Sequence, residues 1–318
     1  MTSGKLPSQA TGSPLPLSAV ALMLMLCVSW GFNQVAVKLA LPEIPPLWQG
    51  LIRSLGALPV LLLIAHFRGV KLFERDGTLR AGLCLGVIFG IEFVMIYRGL
   101  GFTSASRAAV FLYTAPFFVA LGSYRFLGER LRAAQWAALA LCFAGVALAI
   151  GVPQADVDAK VLWGDGLIIG GGALWAATTL IIKATRLSHA PAEKGLIYQV
   201  AISIPILTLA VTLSGETIQR VPGPLALSLM AYQAIWVVGL TFLLWIALVK
   251  AYSASKLSAF TFITPLFGVV ASYLILHDTL TPIFGAAALL VIAGLFLVNR
   301  PGPAGPAPTD PLLTITET

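Results

Sequence analysis

Ten runs of predominantly apolar residues, joined by short polar connectors, leave this chain few folds to choose from. They lie at 17–37, 47–66, 79–98, 105–123, 132–150, 165–184, 194–213, 225–249, 256–275 and 282–299. A helix of about 20 residues spans the roughly 30 Å hydrocarbon layer of a bilayer. Backbone groups in lipid must be satisfied within their own segment, which a helix achieves. The expected fold is therefore all-α and integral to the membrane, with ten transmembrane helices. Charged residues make up only 10% of the chain, against about 25% in soluble domains, so a soluble globule is excluded.

The net charge of +7 does not indicate a nucleic-acid partner, because Lys and Arg stand singly in connectors and form no basic stripe. Fourteen of the 20 basic residues lie in connectors on the side of the N-terminus, five lie on the other side, and Arg53 lies inside the second run. By the positive-inside rule this predicts two cytoplasmic termini. Lys5 ahead of the first run resembles a signal-peptide start, but the repeat described next argues against cleavage. Cys27, Cys84 and Cys142 lie in separate runs, and His66, His189 and His277 are scattered. Neither a disulfide framework nor a metal site is expected, and no cofactor is implied. Residues 1–16 and 300–318 are rich in Ser, Thr, Pro or Gly and read as flexible tails.

Sliding the chain over itself by 149 residues lays SASRAAVFLYTAPFFVALGSYRFLGERL (104–131) on SASKLSAFTFITPLFGVVASYLILHDTL (253–280). Ser104, Arg107, Pro116, Tyr124 and Glu129 meet Ser253, Lys256, Pro265, Tyr273 and Asp278. Nearer the start of each half, Trp30 and Lys38 match Trp175 and Lys183, and Pro59 matches Pro205. The halves are read as 17–150 and 165–299, joined by a linker at 151–164. With five helices each, the second must enter the membrane in the opposite sense, as in inverted-repeat secondary transporters. The paired segments "SAS…P…Y..LGERL" and "SAS…P…Y..LHDTL", each followed by an Ala/Gly-rich helix, resemble the drug/metabolite transporter superfamily, in particular its ten-helix EamA-type members. That resemblance covers residues 17–299. It implies a multi-pass carrier of the bacterial inner membrane, often an exporter of amino acids or related metabolites, with a central cavity. His277–Asp278 stands where the first half has Gly128–Glu129, a departure from that pattern.

Gly82, Gly86 and Gly90 form one smooth helix face and read as packing. Pro59, Pro116, Pro205 and Pro265 interrupt corresponding helices, which marks either hinges beside a binding site or tolerated kinks. Arg53 and Glu92 are the informative charges. At 1.5 Å per residue each lies roughly 10 Å deep from the outer end of its helix. Intramembrane ionisable groups pair or line aqueous paths, so a structural ion pair, a substrate cavity and proton coupling through Glu92 all remain open. The polar residues Asn33, Gln34, Gln49, Tyr97, Tyr113, Thr114, Thr178, Thr179, Tyr198, Gln199 and Gln233 are costly to expose to lipid. With Trp30, Trp175 and Trp236 they are expected to line a mixed aromatic and amide cavity for a small solute. Arg107 and Lys256, at the starts of the fourth and ninth runs, suit either an anion-attracting mouth or snorkelling anchors. Glu129 and Asp278 are expected to cap the helices that follow them.

No HExxH, aspartate-rich cluster, Ser/His/Asp set or phosphate loop supports a membrane-embedded enzyme. A channel would also use a polar path, but inverted repeats with matched prolines favour alternating access by a transporter.

Overall fold

A computed structural model describes residues 15–103, 105–129, 131–150, 158–277 and 282–300, with only the backbone at 105–106. Every regular element among them is helical. The principal segments are α1 (Leu17–Ala40), α2 (Pro46–Phe67), α3 (Leu79–Leu100), α4 (105–127), α5 (Ala133–Ile150), α6 (Ala159–Ala184), α7 (Ala192–Ser214), α8 (Pro224–Ala251), α9 (Ala254–Leu276) and α10 (Ile283–Asn299). Among the described residues nine stretches are long and apolar enough to cross a bilayer, and α10 is a shorter apolar helix of 17 residues.

The α6 start departs from expectation by six residues, so that 159–164, read as linker, is helical. Lys160 looks like a connector residue in sequence, and Asp165 stands first in the run at 165–184. Asp158 starts the helix before them, its side chain accepting from the Lys160 amide at 3.4 Å, and Asp165 is neutralised by an arginine. The rest of the expected linker, 151–157, lies outside the described residues.

The prolines behave in two ways. Pro116 follows a break at Tyr113–Thr114, and Pro265 follows a short 3-10 turn at Thr261–Ile263, so α4 and α9 are interrupted at matching places. Pro59 and Pro205, expected to interrupt their helices, sit inside α2 and α7 without ending them. Each removes one amide donor from the ladder, and the helix runs on either side. The ends of α4 and α9 also match. Gly128 turns the backbone into the left-handed region at φ 69°, and His277, its repeat counterpart, does the same at φ 57°. Gly adopts that conformation freely, whereas a side chain there costs energy.

The halves interlock along their lengths. The α3 glycines hold α7 close: a Cβ at Gly86 would stand 2.4 Å from the Tyr198 carbonyl oxygen, and one at Gly90 2.7 Å from Ile206. Between α1 and α9, a Cβ at Gly31 would meet the Gly268 nitrogen at 2.7 Å. α5 packs on α10, where Gly145 faces Val291 and Gly294 faces Cys142. The further pairings are α2 with α7 and α8, and α6 with α3 and α4.

Polar contacts gather the connectors into two ends. At one end Lys194 pairs with Asp76 at 2.8 Å, Arg68 pairs with Glu193, and Glu129 binds the start of α9. At the other, Glu43 accepts from the Gly223 amide at 2.5 Å, and Glu216 accepts from the Leu47 amide at 3.0 Å.

Candidate functional site

Arg53 and Glu92 are both buried in the interior, 4% and 2% exposed. Antiparallel α2 and α3 set them at a similar depth, and the helices touch one turn away, where the Tyr97 ring fills the space beside Gly50. The Arg53 guanidinium lies 3.8 Å above the centroid of the Phe93 ring. Its Nε and Nη2 have no hydrogen-bond partner, and neither does Glu92 Oε2. The two side chains interact through space but form no ion pair within 4.0 Å. A salt bridge, one of the sequence expectations, is therefore not formed.

One turn toward the start of α2, Gln49 is fully buried. Its Nε2 donates to the carbonyls of Val37 (3.2 Å) and Ile44 (3.0 Å), and its Oε1 accepts from Gln233 Nε2 at 3.1 Å. Gln233 Oε1 and Asn33 Oδ1 are left without partners.

The two matched tryptophans converge on Trp245, a residue outside the matched positions of the repeat. Trp175 stacks on Trp245 at 5.3 Å, and Trp30 meets Trp245 edge-on at 5.7 Å. Trp30 also donates to Thr241 Oγ1 at 2.8 Å. From Trp30 the aromatic contacts continue through Phe242 (6.1 Å) and Phe89 (6.3 Å) to Phe93, 4.9 Å further, beneath Arg53. A continuous lane of rings thus joins the two halves and ends at the buried cation. Trp245 has no tryptophan at the matching place in the first half, so the repeat gave no signal for it.

The other expected lining residues divide. Tyr113 is buried and accepts from Gln34 Nε2 at 3.4 Å, while Gln34 itself is exposed. Gln199 is buried. Thr178 and Thr179 turn back to the Trp175 carbonyl at 2.7 and 3.1 Å, and Thr114 to that of Phe111 at 2.7 Å. Tyr198 packs its ring on Gly82 at the α3–α7 contact. Trp236 is 40% exposed, with its indole donating to Ser29 Oγ at 3.0 Å.

Two charge expectations are corrected. Arg107 is neither a free mouth cation nor a snorkelling anchor: its guanidinium forks onto Asp165 of α6, with Nε at 3.2 and 3.1 Å from the two oxygens, and Thr103 adds a bond of 2.6 Å. A planar guanidinium suits such a forked pair. Glu129 caps a helix, but not the one that follows it. Its carboxylate accepts from Ser253 Oγ (2.9 Å), the amides of Ala254 and Ser255 (3.2 Å each) and Ser255 Oγ (2.9 Å), and pairs with Lys183 at 3.2 Å. The capped helix is α9, in the opposite half. Lys256 is buried beside it. Asp278 lies outside the described residues.

The sequence model of the EamA-like transporter family matches residues 17–151 and again 162–300. An uncharacterized transporter of Bacillus subtilis, YvbV, is 28% identical over 90% of this chain and 93% of its own. A probable amino-acid metabolite efflux pump of Salmonella typhimurium is 29% identical over 87% of this chain and 93% of its own. A solved crystal structure, 17% identical, superposes with a TM-score of 0.74 over 88% of this chain and 96% of the other, and so shares its fold.

Proposed function

The chain belongs to the EamA-like transporter family, and from that premise we propose that it is a secondary transporter exporting a small metabolite, such as an amino acid, from the cytoplasm by alternating access. Support for the mechanism comes from the helix pairings, which map onto one another when each helix is exchanged for its repeat counterpart. α1 with α9 becomes α6 with α4, α2 with α8 becomes α7 with α3, and α5 with α10 returns to itself. Two halves of opposite sense, related in this way, can rock about a shared interior.

The observation that carries the reading is the aromatic lane between Trp175 and Arg53, built from both halves and ending beside Arg53 and Glu92, whose Nε, Nη2 and Oε2 atoms have no hydrogen-bond partner. Relatives described as probable amino-acid metabolite efflux pumps support the choice of solute class and of the outward direction. On this reading Pro116 and Pro265, at matched interruptions, serve as hinges, and Pro59 and Pro205 supply local compliance in α2 and α7.

The test is counterflow in proteoliposomes with a panel of amino acids, nucleobases and sugars, with and without a pH gradient. Saturable exchange of at least one solute, abolished in empty vesicles, is expected. Enhancement by the gradient would assign proton coupling. No exchange of any panel member, or flux that rises linearly without saturation, would count against a carrier.

A further inference from the structure

We infer that Arg53 and Glu92 form the two poles of a zwitterion site: Arg53 takes the anionic group of the solute, Glu92 its ammonium group, and the Phe93–Phe89–Phe242–Trp30 lane its apolar side chain. The assignment rests on the transporter reading and gives its solute a charge pattern and an orientation.

A buried charge without a partner is costly, and a buried ion pair is tolerated when its geometry is close and its hydrogen bonds are complete. Neither condition holds here. Arg53 leaves Nε and Nη2 unbonded and Glu92 leaves Oε2 unbonded, although both residues are more than nine-tenths buried. The Phe93 face offers the guanidinium a cation–π contact, worth about 2 kcal/mol when desolvated, but it satisfies no N–H. The contrast lies within the same molecule. Arg107 and Asp165, also buried, close directly on each other with a forked contact. A pair kept for the fold would do likewise.

Unmet donors on a planar fork fit a carboxylate, which accepts two parallel N–H bonds. An unmet carboxylate oxygen nearby fits a cation. A solute bearing both groups neutralises both residues at once, whereas a purely anionic or purely cationic solute strands one of them. Because the rings lead away from the Arg53 end, the third substituent is apolar or aromatic. Gln233 Oε1, unpartnered where its amide meets Gln49 one turn from Arg53, adds an acceptor to this polar end.

The experiment is equilibrium binding of radiolabelled L-phenylalanine, L-leucine and L-glutamine to purified protein in lipid nanodiscs, with N-acetyl-L-phenylalanine and L-phenylalaninamide as competitors. Saturable binding of phenylalanine and leucine is expected, with each blocked form competing at least tenfold more weakly. Glu92→Gln and Arg53→Met should each lose at least tenfold in affinity, and Trp163→Phe, on an exposed face of α6, should lose none. If Arg53→Met does not fold, Arg53→Lys keeps the charge without the fork and is expected to lose affinity too. Blocked forms that compete as well as phenylalanine, a folded Glu92→Gln that binds like the parent, or no saturable binding of any of the three amino acids overturns the assignment. Counterflow separates the two readings: exchange of a nucleobase or sugar without amino-acid binding removes the zwitterion site and leaves the carrier, whereas amino-acid binding without exchange of any solute does the reverse.

Discussion

Glu129 shows how one side chain can tie two halves of a chain together. Burial alone would push its carboxyl up, but the Lys183 charge and the donors of Ser253 and Ser255 outweigh that and hold it below the usual carboxylate range. A folded-state value below the unfolded one means that the contact stabilises the protein above the unfolded value, near pH 4.3, and loses its contribution as pH falls through the lower, folded value. Glu129→Ala should cost about 3 kcal/mol, because it strands Lys183 and bares the α9 amides. Adding Lys183→Met should recover part of that loss. In Glu129→Gln the share of acid destabilisation that comes from this carboxyl should disappear. Thermal unfolding in detergent from pH 3 to 8 checks all three, and equal midpoints for the parent and Glu129→Ala would show that the contact carries no stability. The acidic residue was visible in the sequence, but its target was not. Capping the next helix is a local rule, and the partner, Ser253, lies 124 residues away. Asp165 was hidden for a similar reason: a lone carboxylate at the edge of a run carries no sign of its partner until Arg107, from another helix, neutralises it.

At the scale of helices, the sequence was legible wherever one physical requirement dominates. Lipid demands long apolar helices, and apart from the α6 start the helix ends fall within four residues of the runs read from hydropathy. The glycine spacing of α3 likewise indicated a close neighbour, since only small residues let two backbones approach. Which helix fills that face was not legible, because a smooth face fits any partner until the whole bundle is assembled. The structure places α7 there. Gly86→Ala should therefore cost about 1–3 kcal/mol through overpacking, since its methyl would meet a backbone oxygen of α7 at 2.4 Å. Gly90→Ala, which meets only Ile206 side-chain atoms, should cost less. Gly166→Ala, with nothing within 4 Å of its Cβ, should be neutral or gain up to about 1 kcal/mol from helix propensity. Melting midpoints of the three variants, measured in one detergent, test the ranking; equal values would mean that α3 and α7 are not in tight contact. The aromatic lane lies beyond such reading, because Trp245, Phe242, Phe89 and Phe93 look like ordinary apolar residues in sequence and become a path only when α1, α3, α6 and α8 bring the rings together.

For the molecule as a whole, the distribution of basic residues and the contacts between connectors are independent, and they agree on which connectors share an end. The connectors holding Arg68, Asp76, Glu129 and Arg186 lie with the starts of α7 and α9, and these are the connectors that carry the excess of Lys and Arg. The contacts between Glu43 and Gly223 and between Glu216 and Leu47 mark the other, poorly basic end. Positive charge is retained on the cytoplasmic face during insertion, so the Glu129 end should face the cytoplasm, and with it both termini. On the exporter reading, the Glu129 contact then joins the halves on the side from which the solute enters. Phe73 and Val221, 99% and 90% exposed, report on the two ends without disturbing either. In a background with Cys27, Cys84 and Cys142 replaced by serine, Val221→Cys should react with an impermeant maleimide on intact cells, and Phe73→Cys only after permeabilisation. Labelling of Phe73→Cys from outside would invert the orientation and place the Glu129 contact on the exit side.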